Sequence, residues 1–225
     1  MGETHHRREM APSPAPVLRW GGDLTRNDLD RIFDLAVERF PAHAGDLANL
    51  TRRFRLNPEA FHGVFDPQTQ GCLGFFVIVP LDAREFERTL SPRIGSIDRE
   101  IAGGHMLRFD PARQTDYDVY LASIVMREGG SQKTTASMLI RQFFDFIQCL
   151  ALQRGIHIGR LSAEAVTRQG RQICENQLQL EMLRERSDGT RVYAGGMRET
   201  LRRLQDDLCC FYPGRYVGLM SQYGL

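Results

Sequence analysis

The sequence predicts an α/β domain in which a mixed β-sheet is covered by helices. Strand patterns alternate with helix patterns in the middle of the chain, and antiparallel hairpin patterns stand on either side of that region. The 225 residues, 42% hydrophobic and 25% charged, are enough for one globular domain with its own core. Three prolines among the first 18 residues predict a disordered tail over 1–18. We therefore expect a single domain over 19–225.

The first half of the chain predicts two helices and a hairpin. Apolar residues between 25 and 40 recur at the spacing of one buried helical face, and Thr25 can cap the start of that helix. A second helix is expected near 45–53. The segments 61–65 and 73–79 are separated by turn-forming residues, which predicts a β-hairpin. The second of these strands is apolar on both faces and is therefore expected inside the sheet.

The second half predicts alternating strands and helices, closed by a hairpin and a last helix. In chain order we expect a helix at 82–90, a short strand near 105–109, a strand at 117–126, a helix at 134–153, a strand at 156–166, a helix at 167–177, a hairpin of 178–183 with 190–194, and a helix at 198–208.

Composition argues against several classes of function. The net charge of +1 provides no overall basic field for nucleic acid. The sequence has no run of 18 apolar residues, so we expect no membrane span, and its first residues lack the apolar core of a signal peptide. The five cysteines include no CxxC pair, which predicts reduced thiols, no metal site and a cytoplasmic protein.

The loop after the strand 117–126 is the most informative segment for function. A turn rich in glycine and small polar residues, Arg127 to Lys133, leads directly into a helix. The first turn of a helix leaves backbone N–H groups without partners and carries partial positive charge, which suits a phosphate group. Lys133 is the only lysine of the chain and can add a full charge. The segment thus predicts a site for a phosphate-bearing cofactor.

Three interpretations of this loop remain open. It is an ordinary capped loop, a nucleotide-binding P-loop, or a cradle for acyl-CoA. The P-loop pattern G-x-x-x-x-G-K-T is met at Lys133 and Thr134, but its two glycines would fall at Arg127 and Gln132. The P-loop is therefore the weakest of the three.

The order of elements and two segments resemble the GNAT superfamily of N-acyltransferases. That family has a pyrophosphate loop of the form Gln or Arg, two residues, Gly, one residue, then Gly or Ala. The segment 131–136, Ser-Gln-Lys-Thr-Thr-Ala, matches its last position but has Ser131 and Thr134 in place of the usual Arg and Gly. The segment 161–173 is similar to the strand and helix that follow in the family. The resemblance spans about residues 24–196 and implies a mostly antiparallel, twisted sheet with a central V-shaped splay.

The resemblance also implies a cofactor, acetyl-CoA or another acyl-CoA, and the residues that hold it. Backbone groups of the central strand would pair with the pantetheine arm, and the loop would hold the pyrophosphate. The implied cofactor-binding residues are Ile124, Val125, Met126, Ser131, Gln132, Lys133, Thr134, Thr135 and Ala136.

Acyl transfer to an amine requires a base for the amine and an acid for the leaving thiolate. Glu164, on the strand after the loop helix, is the preferred catalytic base, with Asp118 and Tyr120 behind it. Family members often supply the acid from a tyrosine, but the aligned position here is Glu175. Tyr193 or a tyrosine of the C-terminal tail is the available substitute.

Two functions from different classes follow. The first is an acyl-CoA-dependent N-acyltransferase acting on a small-molecule or protein amine, as a monomer or homodimer, with neither nucleic acid nor membrane as a partner. The second is a non-enzymatic protein of the same fold that serves as an acyl-CoA sensor or interaction module. Function resides in the site rather than in the fold, so the substitutions at Ser131, Thr134 and Glu175 keep the second open.

Overall fold

A computed structural model describes residues 14–91, 105–129 and 132–203. The strands are β1 (Val17–Trp20), β2 (Phe61–Phe65), β3 (Cys72–Leu81), β4 (Asp116–Met126), β5 (His157–Ala165), β6 (Glu181–Glu185) and β7 (Arg191–Gly196). The helices are α1 (Arg26–Arg39), α2 (Leu47–Leu56), α3 (Ala83–Thr89), α4 (Gln132–Arg154), α5 (Arg168–Gln172) and α6 (Met197–Arg203). A π-helical turn, Ile173–Gln177, continues α5.

The strands form one seven-stranded sheet in the order β1-β2-β3-β4-β5-β7-β6. Every neighbouring pair is antiparallel except β4 and β5, which run parallel. A parallel pair needs a crossover connection, and α4 supplies it. The predicted mixed, mostly antiparallel sheet flanked by helices is confirmed.

Two apolar clusters cover the two faces of the sheet. On one face, Leu29 and Ile32 of α1 pack with Phe75 of β3, and α3 adds Phe86. On the other face, the aromatic side chains of α4 pack against β4 and β5, and the cluster continues to Leu201 of α6. The alternation of side chains along the strands divides the core in this way, because successive residues point to opposite faces.

The helix predicted at 25–40 is confirmed as α1, with Thr25 as its N-cap. The side chain of Thr25 accepts a hydrogen bond from the N–H of Asp28, whose carboxylate accepts one from the N–H of Thr25. This reciprocal arrangement satisfies two backbone donors at the start of the helix. Asp28 is fully buried and also pairs with Arg19 of β1 at 2.8 Å, which ties the helix start to the edge of the sheet.

Several boundaries differ from the sequence predictions, and three of them have a clear physical cause. β1 begins at Val17, inside the predicted tail, because Val17 and Leu18 pair with Phe65 and Val64 of β2. The short strand expected near 105–109 is reduced to one bridge, between Met106 and Leu81. β6 starts later than residue 178, since the preceding residues belong to the π-helical turn and its exit. The predictions for residues 1–13 and 204–208 lie outside the described residues.

Cys72, Cys149 and Cys174 are free thiols. Burial raises the pKa of both Cys72 and Cys174 to about 12, so these two thiols are unreactive packing groups at neutral pH. Cys209 and Cys210 lie outside the described residues.

No helix in the described ranges is both long and apolar enough to cross a bilayer. Within the same ranges, His, Cys, Asp and Glu side chains form no group of three or more that could hold a metal ion.

Candidate functional site

A β-bulge lies in the middle of β4. Val77 of β3 faces Ser123, but the next residue, Ile78, faces Leu121, so Ala122 is an extra residue in β4. A bulge bends its strand and locally interrupts the hydrogen-bonded ladder with the partner strand, which here is β3. The ladder between β4 and β5 ends at this point, with Leu121 opposite Ala163. The bulge therefore marks the start of a splay between the two central strands.

Beyond the bulge, β4 remains paired on one side only. Residues 123–126 continue to pair with β3, ending with Met126 opposite Gly74. Over the described length of both strands, the ladder with β5 does not extend past Ala163. The β5-facing backbone of this half-strand therefore lines the splay. Ile124, Val125 and Met126 lie there, as predicted for cofactor-binding residues, and their role toward a ligand stays a prediction.

The loop after β4 leads to the start of α4 at Gln132, two residues earlier than predicted. The N–H of Gln132 donates to the carbonyl of Gly129 at 3.1 Å, which closes the turn before the helix. Lys133 and Thr134 are exposed on the first turn, and Ala136 is half-buried. The first backbone N–H groups of α4 and the Lys133 charge thus lie together at the end of the loop. Ser131 lies outside the described residues.

Thr135 differs from the prediction in one respect. Its side chain is fully buried, with its methyl group directed at Gly74 of β3. Its hydroxyl oxygen is also buried and has no hydrogen-bond partner among the described residues. Only its backbone N–H remains available for the predicted pyrophosphate contact.

The same loop is tied to the C-terminal end of α1 by two ion pairs. Arg127 contacts Glu38 at 3.0 Å, and Arg39 contacts Glu128 at 2.6 Å. Arg127 also donates from Nε to the carbonyl of Cys72 at 3.1 Å. These charges are largely exposed, so each pair adds little stability. Their geometric effect is to hold the loop, α1 and β3 together.

Gly74 sets how closely α4 approaches the sheet. A Cβ at Gly74 would lie 2.7 Å from Cγ2 of Thr135 and 2.9 Å from the carbonyl oxygen of Val125. The second atom is backbone, so the strain cannot be relieved by a rotamer change. We expect Gly74→Ala to destabilise the fold by about 1–3 kcal/mol and to weaken CoA binding, because α4 must move away from the sheet.

Chemical denaturation and calorimetric titration with CoA would measure both effects of Gly74→Ala. Gly159→Ala is the matched control, because its Cβ would meet Asp118 Oδ1 at an ordinary 3.5 Å. Equal stability of the two variants would contradict the close packing of α4 on β3.

The splay opens into a cleft on the α1 side of the sheet, called here the α1–α2 cleft. Its walls are one side of α1, the α1–α2 connection, the start of α2, part of β3, residues 122–125 of β4, and residues 164–167 after the splay. The wall formed by α1 and β3 is apolar and includes Phe33, Ala36 and Val77. A mostly apolar cleft with a few polar groups is typical of a small-molecule site.

Glu164 lies at the point where the splay meets the α1–α2 cleft. It directly follows Ala163, the last β5 residue paired with β4, and it lines the cleft. Oε1 of Glu164 lies 2.5 Å from Nη2 of Arg186, and the side chains are only 11% and 7% exposed. An adjacent guanidinium favours the charged form of a carboxylate. The predicted base is therefore a buried, ion-paired group at the cleft.

Arg186 is held by the β6–β7 hairpin. Its N–H donates to the carbonyl of Thr190 at 2.8 Å, and its own carbonyl accepts from Gly189 at 2.9 Å. Arg171 of α5 donates to the carbonyl of Gly189 at 2.7 Å, which fastens the hairpin tip to α5. The sequence did not point to Arg186, because a charged residue before a Ser-Asp-Gly turn is usually a solvent-exposed one.

The alternative bases lie elsewhere. Asp118 is on the paired half of β4, where Arg160 Nη2 donates to it at 2.6 Å. Tyr120 is buried on the same paired half, opposite Ser162 of β5. Neither lines the α1–α2 cleft as the described residues form it.

Tyr193, considered above as the substitute acid, is bonded to Glu175, which stands at the aligned position of the family's tyrosine. The hydroxyl of Tyr193 donates to Oε1 of Glu175 at 2.6 Å. Burial, and after it the hydrogen bond to Glu175, together raise the pKa of Tyr193 to about 12. The tyrosine therefore holds its proton firmly and is a weak acid for a leaving thiolate.

This bulged, splayed sheet followed by a helix start is the GNAT fold, and solved structures share it. The chain is similar to a GphF GNAT-like decarboxylase in complex with isobutyryl-CoA, with a TM-score of 0.53 and 15% identity over 80% of this chain and 99% of that one. It is also similar to Arabidopsis thaliana NAA60 in complex with acetyl-CoA, with a TM-score of 0.50 and 11% identity over 81% and 98%. SsHAT matches with a TM-score of 0.50 and 12% identity over 82% and 99%.

Neither a protein-family model nor a curated protein matches the sequence. The similarity to the solved structures therefore establishes the fold, and the activity has to be argued from the site.

Proposed function

We propose that the protein is an acyl-CoA-dependent N-acyltransferase that acts on a small-molecule or protein amine, with acetyl-CoA or another acyl-CoA as the donor. The observation that carries this proposal is the combination of the bulge at Ala122, the half-strand 123–126 beside an open splay, and a cleft lined by Glu164. The first turn of α4 follows the open half-strand in the chain, and the cleft lies along the same splay on the α1 side of the sheet. A linear cofactor and an acceptor can therefore meet at the splay.

Each part of the site then has a role in the transfer. The helix start with Lys133 binds the pyrophosphate, and the half-strand 123–126 pairs with the amides of pantetheine. Glu164 accepts a proton from the ammonium group of the acceptor, which frees the amine nitrogen. The nitrogen attacks the thioester carbonyl, the C–S bond breaks, and CoA leaves as the thiolate, while the new amide nitrogen gives up its extra proton to water.

The observation that favours a non-enzymatic function concerns the acid. Glu175 occupies the position of the usual tyrosine, and Tyr193 is buried, bonded to Glu175 and raised in pKa to about 12. Without a ready acid, the site would bind acyl-CoA without turning it over. Transfer by this chain requires either a thiolate that leaves unprotonated, which the low basicity of thiolates permits, or an acid outside the described residues.

Calorimetric titration with CoA tests the cofactor part of the proposal. We expect Lys133→Ala to bind CoA roughly five- to tenfold more weakly, with the difference shrinking as salt rises, because Lys133 contributes an exposed point charge. Thr134→Pro removes a backbone N–H from the first turn, and Ala136→Glu brings a carboxylate close to the phosphates. Both should weaken binding more than Lys133→Ala.

Arg141→Ala is the matched control for Lys133→Ala, because it removes a positive charge from α4 about two turns from the helix start. Its affinity for CoA should equal that of the unchanged protein. No binding of the unchanged protein at millimolar CoA would overturn the cofactor assignment. Release of free CoA with a panel of amines separates the transferase from the sensor, since a sensor binds acyl-CoA without releasing it.

A further inference from the structure

The α1–α2 cleft has properties that select the chemistry of the acceptor. Its α1 wall consists of Ile32, Phe33, Ala36 and Phe40, and β3 adds Phe75 and Val77 opposite. These side chains form an apolar surface that begins beside Glu164 at the splay. A ligand whose amine reaches Glu164 must therefore place the rest of its body against this surface.

The negative charge in the cleft is small. Of the described residues that line it, two are acidic, Glu164 and Asp46. The carboxylate of Asp46 caps α2 by accepting hydrogen bonds from the N–H groups of Ala48 at 2.6 Å and Asn49 at 3.2 Å. Glu164 alone is left to receive an ammonium group, and its charge is already balanced by Arg186 at 2.5 Å.

The cleft also contains a buried positive charge. Arg53 of α2 is 4% exposed and lines the wall formed by α2. Since Glu164 pairs with Arg186 and Asp46 caps α2, the described walls of the cleft provide little negative charge for a ligand with several positive charges. Polyamines, aminoglycosides and lysine-rich peptides need several carboxylates to replace the water around their ammonium groups.

We propose that the acceptor is a small primary amine with one positive charge and an apolar body, of the arylalkylamine type. This inference rests on the proposed function, because it names the substrate class of the same site. The ammonium group binds Glu164 at the splay, and the aromatic or aliphatic body packs against Phe33, Ala36 and Val77. The apolar contact supplies affinity, and the single carboxylate supplies the orientation.

The test compares phenethylamine, ethylamine and spermidine as acceptors with acetyl-CoA, using release of free CoA as the readout. We expect kcat/KM for phenethylamine to exceed that for ethylamine and for spermidine by roughly tenfold or more, because burial of one phenyl ring is worth at least that factor. A preference for spermidine, or equal rates for phenethylamine and ethylamine, would overturn the inference.

Ala36→Phe provides a second test, because it fills the apolar wall next to the amine. It should raise KM for phenethylamine by roughly tenfold and KM for ethylamine by a clearly smaller factor, because ethylamine has no ring to accommodate. Val37→Ala, on the exposed side of the same helix, is the control and should change neither. If Ala36→Phe instead alters the preference among acetyl-, butyryl- and hexanoyl-CoA, the wall receives the acyl chain and the inference is wrong.

Direct binding separates this inference from the proposed function. Phenethylamine should bind the full chain in the presence of CoA, as measured by calorimetry, and more weakly to Ala36→Phe. If phenethylamine binds in this way but no amine releases CoA, the transferase proposal fails and the ligand class stands. If spermidine binds and is acetylated while phenethylamine is not, the ligand class fails and the transferase proposal stands.

Discussion

Replacing Glu164 with Gln should lower the turnover number of the proposed acyl transfer by about 10²–10⁴-fold and leave the affinity for CoA unchanged. Glutamine has nearly the same shape, so its side chain can occupy the same place beside Arg186. What it loses is the ability to accept a proton from the ammonium group of the acceptor. Steady-state kinetics and calorimetry on the same preparation measure both effects.

Asp118→Asn is the matched comparison for Glu164→Gln. Asp118 also lies on a central strand and pairs with an arginine, but it belongs to the half of β4 that remains joined to β5. We expect its turnover to stay within about threefold of the unchanged protein, as for a surface change away from the site. A large loss in Asp118→Asn together with an unchanged Glu164→Gln would assign the base to Asp118 on β4 instead of Glu164 on β5.

Acidification should destabilise the protein through His62, and this is the second large effect. His62 of β2 is fully buried, stacks on Phe76 with ring centroids 4.2 Å apart and on Trp20 at 5.5 Å, and its Nδ1 lies 3.2 Å from Nε2 of Gln142. An amide nitrogen only donates, so Nδ1 accepts and the ring is neutral. Burial lowers the pKa of His62 from 6.5 to about 3.

The direction of the pH effect follows from this lowered pKa. Between about pH 6.5 and pH 3 the unfolded chain binds a proton at His62 that the folded protein does not bind. The contribution of the neutral ring to stability is therefore complete above pH 6.5 and is lost progressively down to about pH 3. The total loss is on the order of 5 kcal/mol, since the pKa is lowered by about 3.5 units and each pKa unit corresponds to about 1.4 kcal/mol.

Denaturant unfolding at several pH values between 7 and 4 measures this loss. The fluorescence of Trp20 is the natural readout, because it is the only tryptophan and stacks directly on His62. The double variant His62→Phe with Gln142→Met keeps the aromatic stack, removes the titrating group and leaves no unpaired amide. Its stability should fall less steeply than that of the unchanged protein as the pH is lowered.

The control is His43→Gln, which changes a half-buried histidine and should retain the steep fall. A double variant with the full slope would contradict the assignment to His62.

Local patterns were enough to predict most of the elements. The helix at 25–40 followed from its apolar spacing and from Thr25, and the structure shows α1 with that cap. The interior position of β3 followed from its apolar residues on both faces, and β3 lies between β2 and β4. Both features depend on residues close together in the chain, which is why periodicity and turn chemistry reveal them.

Features that depend on distant segments could not be predicted. The contact between Glu164 and Arg186 requires the register of β5 with β7 and the position of a hairpin tip. The prolines before β1 suggested disorder up to residue 18, but pairing of Val17 and Leu18 with β2 outweighs that local tendency. Thr135 was predicted as a cofactor-binding residue from its place in the loop. Its burial could not be predicted, because it depends on Gly74 in a distant strand.

The extra residue in β4 changes which of its side chains belong to each of the two apolar clusters on the faces of the sheet. Before it, Tyr120 belongs to the cluster beneath α1 and Leu121 to the cluster beneath α4. After it the parity is inverted, so that odd-numbered Val125 lies beneath α1 while even-numbered Ile124 packs beneath α4. Deleting Ala122 would restore a single alternation of side chains along β4 and move Val125 to the opposite face of the sheet. We expect β4 then to pair with β5 further along its length. The position of one alanine thus coincides with the point where β4 separates from β5, and so with the space in which a ligand could be bound.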